Sequence, residues 1–278
     1  MQLWDRIAMV TGAGSGLGRE ISLSFAREGA RVLATDVDEK AAAATAAECE
    51  RSTAGADSCR CDVADSRSVK EAFAHLDETM GGIDILVNNA GIVHSEPAYL
   101  EHVNQIQAKQ IAEVMAGGPI ETHWRTIELL TDEMFDRMLR VHLYGTFYCT
   151  REALPRMRAQ GRGGRIVNMG SIMGTASMLG APDYCAAKGA ILAFTRATAR
   201  EAASYDVLVN AIAPGYIETP LLVNVEPATK QLIAMQTPLR RLGEPADVAA
   251  AAVYLAGPGG RFVTGQTLSP NGGIHMSQ

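Results

Sequence analysis

No run of about eighteen apolar residues occurs anywhere in this chain, so a membrane-spanning helix is not expected. Basic clusters are missing as well. Lys and Arg number 25 against 31 Asp and Glu, a net charge of −6, which argues against a nucleic-acid partner. Cysteine is scarce: Cys49, Cys59, Cys61, Cys149 and Cys185 form no disulfide framework and suit a reducing, cytoplasmic setting. Cys59 and Cys61 fall on one short strand and are expected to face opposite ways, which makes them a poor pair. His94, His102 and His123 match no ligand spacing and have no cysteine nearby, so no metal is expected. The first apolar strand begins almost at the N-terminus, so no signal peptide is expected. What is present, 47% hydrophobic and 20% charged residues over 278 positions, suits one globular α/β domain with a well-filled core.

Near the N-terminus an apolar run, Arg6 to Val10, meets Thr11-Gly12-Ala13-Gly14-Ser15-Gly16-Leu17-Gly18. Ile21, Phe25 and Ala26 follow at helical spacing, and a second strand, Arg31 to Thr35, runs into Asp36. This is a βαβ unit with glycines at the strand-to-helix turn, where backbone N–H groups and the helix N-terminus attract a pyrophosphate. The spacing Gly12-x-x-x-Gly16-x-Gly18 is looser than the general G-x-G-x-x-G fingerprint. Asp36 can accept both ribose hydroxyls of NAD and would repel the 2′-phosphate of NADP. Neither Ser15 nor Val37 offers a cation to that phosphate, so NAD is the expected cofactor.

Far downstream, Ser171 precedes Tyr184 by 13 residues, and Tyr184 opens Tyr184-Cys185-Ala186-Ala187-Lys188. Positions i and i+4 share a helix face, so Tyr184 and Lys188 project together. A phenol titrates near pH 10, and an ammonium beside it is expected to lower that value until the tyrosine can serve as acid or base. Ser171 would hold a substrate oxygen while charge develops on it.

Taken together these segments resemble the short-chain dehydrogenase/reductase family over nearly the whole chain. Asp62 with Val63 looks like its adenine contact, and Asn88-Asn89-Ala90-Gly91 like its N-N-A-G motif. Gly164 to Ser171 resembles the strand that delivers the catalytic serine, and Pro214-Gly215-Tyr216-Ile217-Glu218-Thr219 its P-G segment. The resemblance implies a single doubly wound Rossmann-type domain, a parallel sheet with helices on both faces. It implies an NAD site of Gly12, Ser15, Gly16, Leu17, Gly18, Asp36, Asp62, Val63, Asn89, Ala90, Gly91, Tyr184, Lys188, Pro214, Gly215, Ile217 and Thr219. It also implies hydride transfer with Tyr184 as acid/base, aided by Ser171 and Lys188, and a homotetramer assembled through the C-terminal region.

Two departures stand out. In Val141-His142-Leu143-Tyr144-Gly145-Thr146-Phe147, His142 occupies the position where relatives carry the asparagine of the catalytic tetrad. There that residue's main-chain carbonyl helps hold a relay water, a task any residue can perform. A locally satisfied imidazole is the preferred reading, and a titrating relay member the alternative. The second departure is an insertion of residues 97–126 between Gly91 and the helix bearing His142. Ala98 to Ala116 reads as an amphipathic helix with Leu100, Val103, Ile106, Ile111, Val114 and Met115 at steps of three and four. Gly117-Gly118-Pro119 stops it, Ile120 to Ile127 makes a second short piece, and Thr131 caps the next helix. The insertion could roof the substrate, contact a neighbouring subunit, or be inert.

Around the expected site lie Ile172, Met173, Met178 and Leu179, then Leu221, Leu222, Val223, Val225, Leu232, Ile233 and Met235. With no Arg or Lys placed for a carboxylate, this surround fits an uncharged hydrophobic ketone or secondary alcohol. Arg240 and Arg241 leave open a carrier or coenzyme phosphate, hence a 3-oxoacyl-thioester reductase. A non-catalytic NAD-binding partner or sensor module is the reading from a different class.

Overall fold

The short apolar runs read from the sequence become the central strands of one sheet, buried on both faces as a parallel arrangement requires, while the two edge strands are partly exposed. In the computed structural model, which describes residues 1–52, 55–223 and 225–276, the chain opens with β1 (Ile7–Thr11), α1 (Gly16–Arg27), β2 (Arg31–Asp36) and α2 (Glu39–Cys49). It continues through β3 (Ala56–Arg60), α3 (Ser66–Met80) and β4 (Ile85–Asn88). The insertion then supplies α4 (Pro97–Met115) and a single turn, α5 (Thr126–Leu129). After α6 (Asp132–Leu139), a π-helical turn at Arg140–Tyr144 leads into α7 (Gly145–Gln160). The remainder is β5 (Gly164–Met169), α8 (Pro182–Ala202), β6 (Val207–Ile212), α9 (Pro227–Gln236), α10 (Pro245–Ala256) and β7 (Thr267–Leu268).

The seven strands are all parallel in the order β3-β2-β1-β4-β5-β6-β7. Strand order reverses between β1 and β4, and ligands of such sheets bind outside the carboxyl ends at that switch point. Two cores flank the sheet. Ile21 and Phe25 of α1 pack with Val248 and Ala252 of α10 on one face. Phe73 and Leu76 of α3 pack with Cys149 and Met157 of α7 on the other.

A buried polar ladder crosses the middle of the sheet. Asn88 Nδ2 donates to Asn168 Oδ1 at 2.8 Å and to Thr150 Oγ1 at 3.1 Å, and Asn168 Nδ2 donates to Thr195 Oγ1 at 2.9 Å. Each donor is satisfied without water, as burial in a low-dielectric interior demands. The first asparagine of N-N-A-G is therefore committed to joining β4, β5, α7 and α8.

Three local expectations change. Cys59 and Cys61 both pack against the α3–α7 core instead of facing opposite ways, because residues two apart on a strand share a face. Helix α4 forms as expected, but of its apolar stripe only Ile106 is fully buried, while Ile111, Val114 and Met115 stand exposed. The stretch after Gly117 yields only α5. It is tied back to α4 by Trp124 Nε1 donating to Gln110 Oε1 (2.9 Å) and Thr122 Oγ1 donating to Glu113 (2.6 Å). Thr131 does cap α6, accepting from Met134 N at 3.2 Å. Among the described residues no helix is long and apolar enough to cross a membrane.

Candidate active site

The glycine turn between β1 and α1 is held by side chains from two other strands. Thr11 Oγ1 accepts from the backbone N–H of Asn89 (3.0 Å) and Ala90 (3.1 Å), and Asn89 Nδ2 donates to the carbonyls of Thr11 (3.0 Å) and Gly12 (3.1 Å). Gly12 (φ 64°) and Gly16 (φ 53°) occupy left-handed backbone that glycine adopts without a Cβ penalty. A Cβ on Gly18 would strike Gly12 O and Asn89 Nδ2. Leu17 and Ser15 border the turn, Ser15 in the open.

Asp36, at the end of β2, accepts Gly14 N–H at 2.9 Å through one oxygen and Asp38 N–H at 3.0 Å through the other. It thus shapes the turn and keeps lone pairs for a further donor. Gly14, an unspecified position of the Gly12-x-x-x-Gly16-x-Gly18 spacing, also shapes the turn. A Cβ there would sit 2.7 Å from Ala41 Cβ and 2.9 Å from Asp36 Oδ2. The glycine in mid-turn was the available signal. Asp62 closes its own turn, accepting Ala64 N–H at 3.0 Å, and Val63 packs beside Gly145.

The P-G segment returns to the same crevice. Pro214 O accepts Ile172 N–H at 3.2 Å, Gly215 N–H donates to Pro270 O at 3.1 Å, and Ile217 bridges to Gly243. Thr219 comes over the glycine turn, 3.7 Å from where a Gly16 Cβ would stand. Asn271 anchors the C-terminal turn, donating to His275 O at 2.7 Å.

Ser171, Tyr184, Lys188 and His142 converge from three segments: the turn after β5, helix α8 and the π turn. Ser171 Oγ accepts Met173 N–H at 3.1 Å, which leaves its own O–H to donate elsewhere. Lys188 Nζ donates to Met169 O at 2.8 Å and lies 5.6 Å from the Tyr184 ring centroid. His142 meets Tyr184 edge to face, with centroids 5.4 Å apart.

The electrostatics depart from the sequence expectation. Desolvation pushes the Tyr184 phenol up to about 12, opposed by the Ser171 hydroxyl beside it. Desolvation also takes Lys188 down to about 7, so its ammonium is only partly charged at neutrality and gives the phenol little help. His142 falls to about 3, first by burial and then by the charge of Lys188, and is neutral over the physiological range. Its Nε2 lies 2.9 Å from Ile92 O and 3.1 Å from Ile92 N, and Nδ1 has no hydrogen-bond partner among the described residues. The imidazole therefore packs on Gly91 and pins the chain leaving β4. Its carbonyl, in the π turn, accepts the Thr146 hydroxyl at 2.7 Å.

Other expected contributors separate into groups. Ile172 and Met173 are buried, whereas Leu179, Leu221, Val223, Leu232 and Met235 present exposed apolar surface. Arg241 is engaged with Asp247 at 2.8 Å, and Arg240 donates to Met235 O.

Comparison with known proteins agrees with this geometry. The family model described as short chain dehydrogenase matches residues 6–230. The chain is 32% identical over 276 residues to the 3-oxoacyl-(acyl-carrier-protein) reductase of Vibrio harveyi, covering 99% of this chain and 100% of that one. The corresponding reductase of Thermotoga maritima is 31% identical over 274 residues, with 99% of each chain covered. Among solved structures, a 7α-hydroxysteroid dehydrogenase complexed with NADH and 7-oxo glycochenodeoxycholic acid superposes with a TM-score of 0.82 at 29% identity, over 98% of this chain and 95% of that one. A short-chain type dehydrogenase/reductase from Mycobacterium marinum gives 0.82 at 27% identity, over 99% and 98% of the two chains. A glycine turn braced by Asn89, a Ser171–Tyr184–Lys188 constellation beyond the carboxyl end of β5 and these likenesses lead to one conclusion: the chain belongs to the short-chain dehydrogenase family, as an oxidoreductase of Rossmann-type fold.

Proposed function

We propose that this protein is an NAD-dependent oxidoreductase that moves hydride between the nicotinamide and a hydrophobic secondary alcohol or ketone. The observation that carries the reading is the convergence of Ser171, Tyr184 and Lys188 beside a glycine cradle whose outer wall is Asp36. The turn fits the cofactor: left-handed Gly12 and Gly16 shape it, and Cβ atoms at Gly14 or Gly18 would strike Ala41 and Asp36 or Gly12 and Asn89, respectively, and force it out of shape. Gly12, Ser15, Gly16, Leu17 and Gly18 would hold the pyrophosphate, Asp36 the adenosine ribose, and Asp62 and Val63 the adenine. Asn89, Ala90, Gly91, Pro214, Gly215, Ile217 and Thr219, with Tyr184 and Lys188, would hold the nicotinamide half. NAD supplies or takes up the hydride.

The chain's own residues handle the substrate oxygen. Ser171 donates its free O–H to that oxygen. Tyr184, a neutral phenol, gives it a proton when a ketone is reduced and must become a phenolate when an alcohol is oxidised. Lys188, taken down to about 7 by burial, would exchange a proton with the site near neutrality. The exposed apolar side chains of Leu179, Leu221, Val223 and Leu232 favour an uncharged hydrophobic substrate.

The test is titration with NADH and NADPH followed by a hydride-transfer screen over hydrophobic alcohols and ketones, with Tyr184→Phe alongside. Turnover with NAD that this substitution abolishes supports the proposal, and tight NAD binding without turnover supports a binding module. A 3-oxoacyl-thioester reductase is the second reading, favoured by the names of the 31–32% identical relatives. The ion pair that occupies Arg241 weighs against phosphate recognition there. We further propose a cytoplasmic homotetramer, supported by the fully exposed Phe262 near the C-terminal strand, with light scattering as the check.

A further inference from the structure

His94 lies on the chain between Gly91 and the insertion, and it is clamped by two carboxylates. Its Nε2 is 3.1 Å from Asp183 and its Nδ1 is 3.2 Å from Glu96. The His94 side chain is 7% exposed and that of Asp183 is 0% exposed. Asp183 immediately precedes Tyr184 in the first turn of α8. A neutral imidazole has one N–H, so with a carboxylate at each nitrogen it would aim a lone pair at an anion. The imidazolium has two N–H groups and satisfies both, and a fully buried carboxylate needs such a partner.

The same residues fasten the insertion to the loop between Ser171 and Tyr184. The His94 ring packs on Tyr99 of α4 with centroids 4.5 Å apart, and Tyr99 Oη donates to Gly180 O at 3.0 Å. Val103 and Trp124 close on Gly180, which has φ 82°; a Cβ there would meet them at 3.2 and 3.5 Å. From α6, Arg137 reaches the other face of Glu96 at 3.1 Å. The charged and titratable groups about His94 are thus Asp183 from α8, Glu96 from its own segment, Tyr99 from α4, and Arg137 acting through Glu96. Hydrogen bonding to Asp183 raises the His94 pKa above the ordinary histidine value, against the pull of burial.

We propose that His94 is a positioning residue which, as an imidazolium shared by Glu96 and Asp183, holds the 97–126 insertion against the Gly180 loop and makes it a wall of the substrate site, a role that rests on the oxidoreductase reading above. A group with a raised folded-state pKa contributes fully below its unfolded value and loses that contribution as pH rises through the folded one. The insertion therefore loosens on the alkaline side. Tyr184 stays in place on α8, so substrate affinity suffers more than the chemical step.

Trp124 reports the contact directly. In the full chain with Trp4→Phe, its fluorescence should change in one step above about pH 6.5. That step should vanish in His94→Gln, or in Asp183→Asn should the first variant fold poorly. His94→Lys, which retains the charge, should hold the low-pH emission through neutrality. With a substrate from the screen, His94→Gln should raise KM about tenfold while kcat changes by less than about threefold, and His94→Lys should restore KM. Emission that is independent of pH in the parent, a step that survives His94→Gln, or an unchanged KM overturns the proposal. The fluorescence step needs no turnover, so a protein without dehydrogenase activity would fail the screen and still show it.

Discussion

Lys188 Nζ directs its hydrogen bond to Met169 O at 2.8 Å and lies over the Tyr184 ring, 5.6 Å from the centroid, instead of meeting the phenol oxygen. The phenol, at about 12, and the amine, at about 7, are both shifted toward their neutral forms by burial. Alcohol oxidation needs the phenolate and should climb along an alkaline limb, whereas ketone reduction uses the neutral phenol and should hold level across neutrality. Initial rates in both directions from about pH 6 to 10 test this. Tyr184→Phe should lower both by about 10²–10⁴-fold.

Because Lys188 is depressed from 10.5 to about 7, the unfolded chain binds a proton between those values that the native chain does not. The contribution of this group to stability therefore rises with pH over that window and is unfavourable below it. Lys188→Met should be inactive yet melt higher at pH 6 than the parent. The gain should be about 2–4 °C for each kcal/mol recovered, as read by calorimetry. An unchanged or lower melting temperature would show that the buried amine is not a liability.

Asp36 holds Gly14 N–H and, in the function proposed above, would also face the ribose. Asp36→Ala should narrow the preference for NAD over NADP in kcat/KM by about tenfold or more, some 1.4 kcal/mol. It should also weaken binding of both cofactors, since Gly14 loses its acceptor. Unaltered selectivity in steady-state kinetics would remove the residue from its assigned place.

His142→Asn should keep turnover within about tenfold, because an amide offers Ile92 both a donor and an acceptor. His142→Ala leaves the Ile92 backbone unmet and should cost more than the asparagine variant. Neither change should erase a titration near neutrality from the rate profile, since the imidazole lies near 3. A neutral-range limb lost with His142→Asn would instead make the imidazole a relay member.

Gly18→Ala places a methyl against Gly12 O and within 2.5 Å of Asn89 Nδ2. The turn must open, so NAD affinity should fall at least about tenfold in a fluorescence titration while the far-ultraviolet spectrum remains native. Affinity equal to the parent would mean that the cradle relaxes freely.

Local patterns carried most of what the sequence disclosed. Tyr184 and Lys188 are one helical turn apart, Gly12 to Gly18 sit in one turn, and apolar runs name the strands; each is legible because its partners are near in sequence. What stayed hidden was built across distance. Gly14 with Asp36 spans 22 residues, and His94 with Asp183 spans 89, so no spacing rule could pair them. The exposure of Ile111, Val114 and Met115 was hidden for another reason: periodicity identifies an apolar face but not what covers it. The phenol is not lowered by Lys188 because desolvation, which spacing does not reveal, outweighs proximity at both groups.

The ladder from Asn88 through Asn168 to Thr195 restricts how this scaffold can change. A one-residue slip of β4 against β5 would turn these side chains to the opposite face of the sheet and break the whole ladder together. The strands that carry the cofactor loop and the serine loop are thereby locked in register as one ruler. On such a frame, changes of specificity are expected in the segments that join the strands, because the frame itself offers no small, graded adjustment.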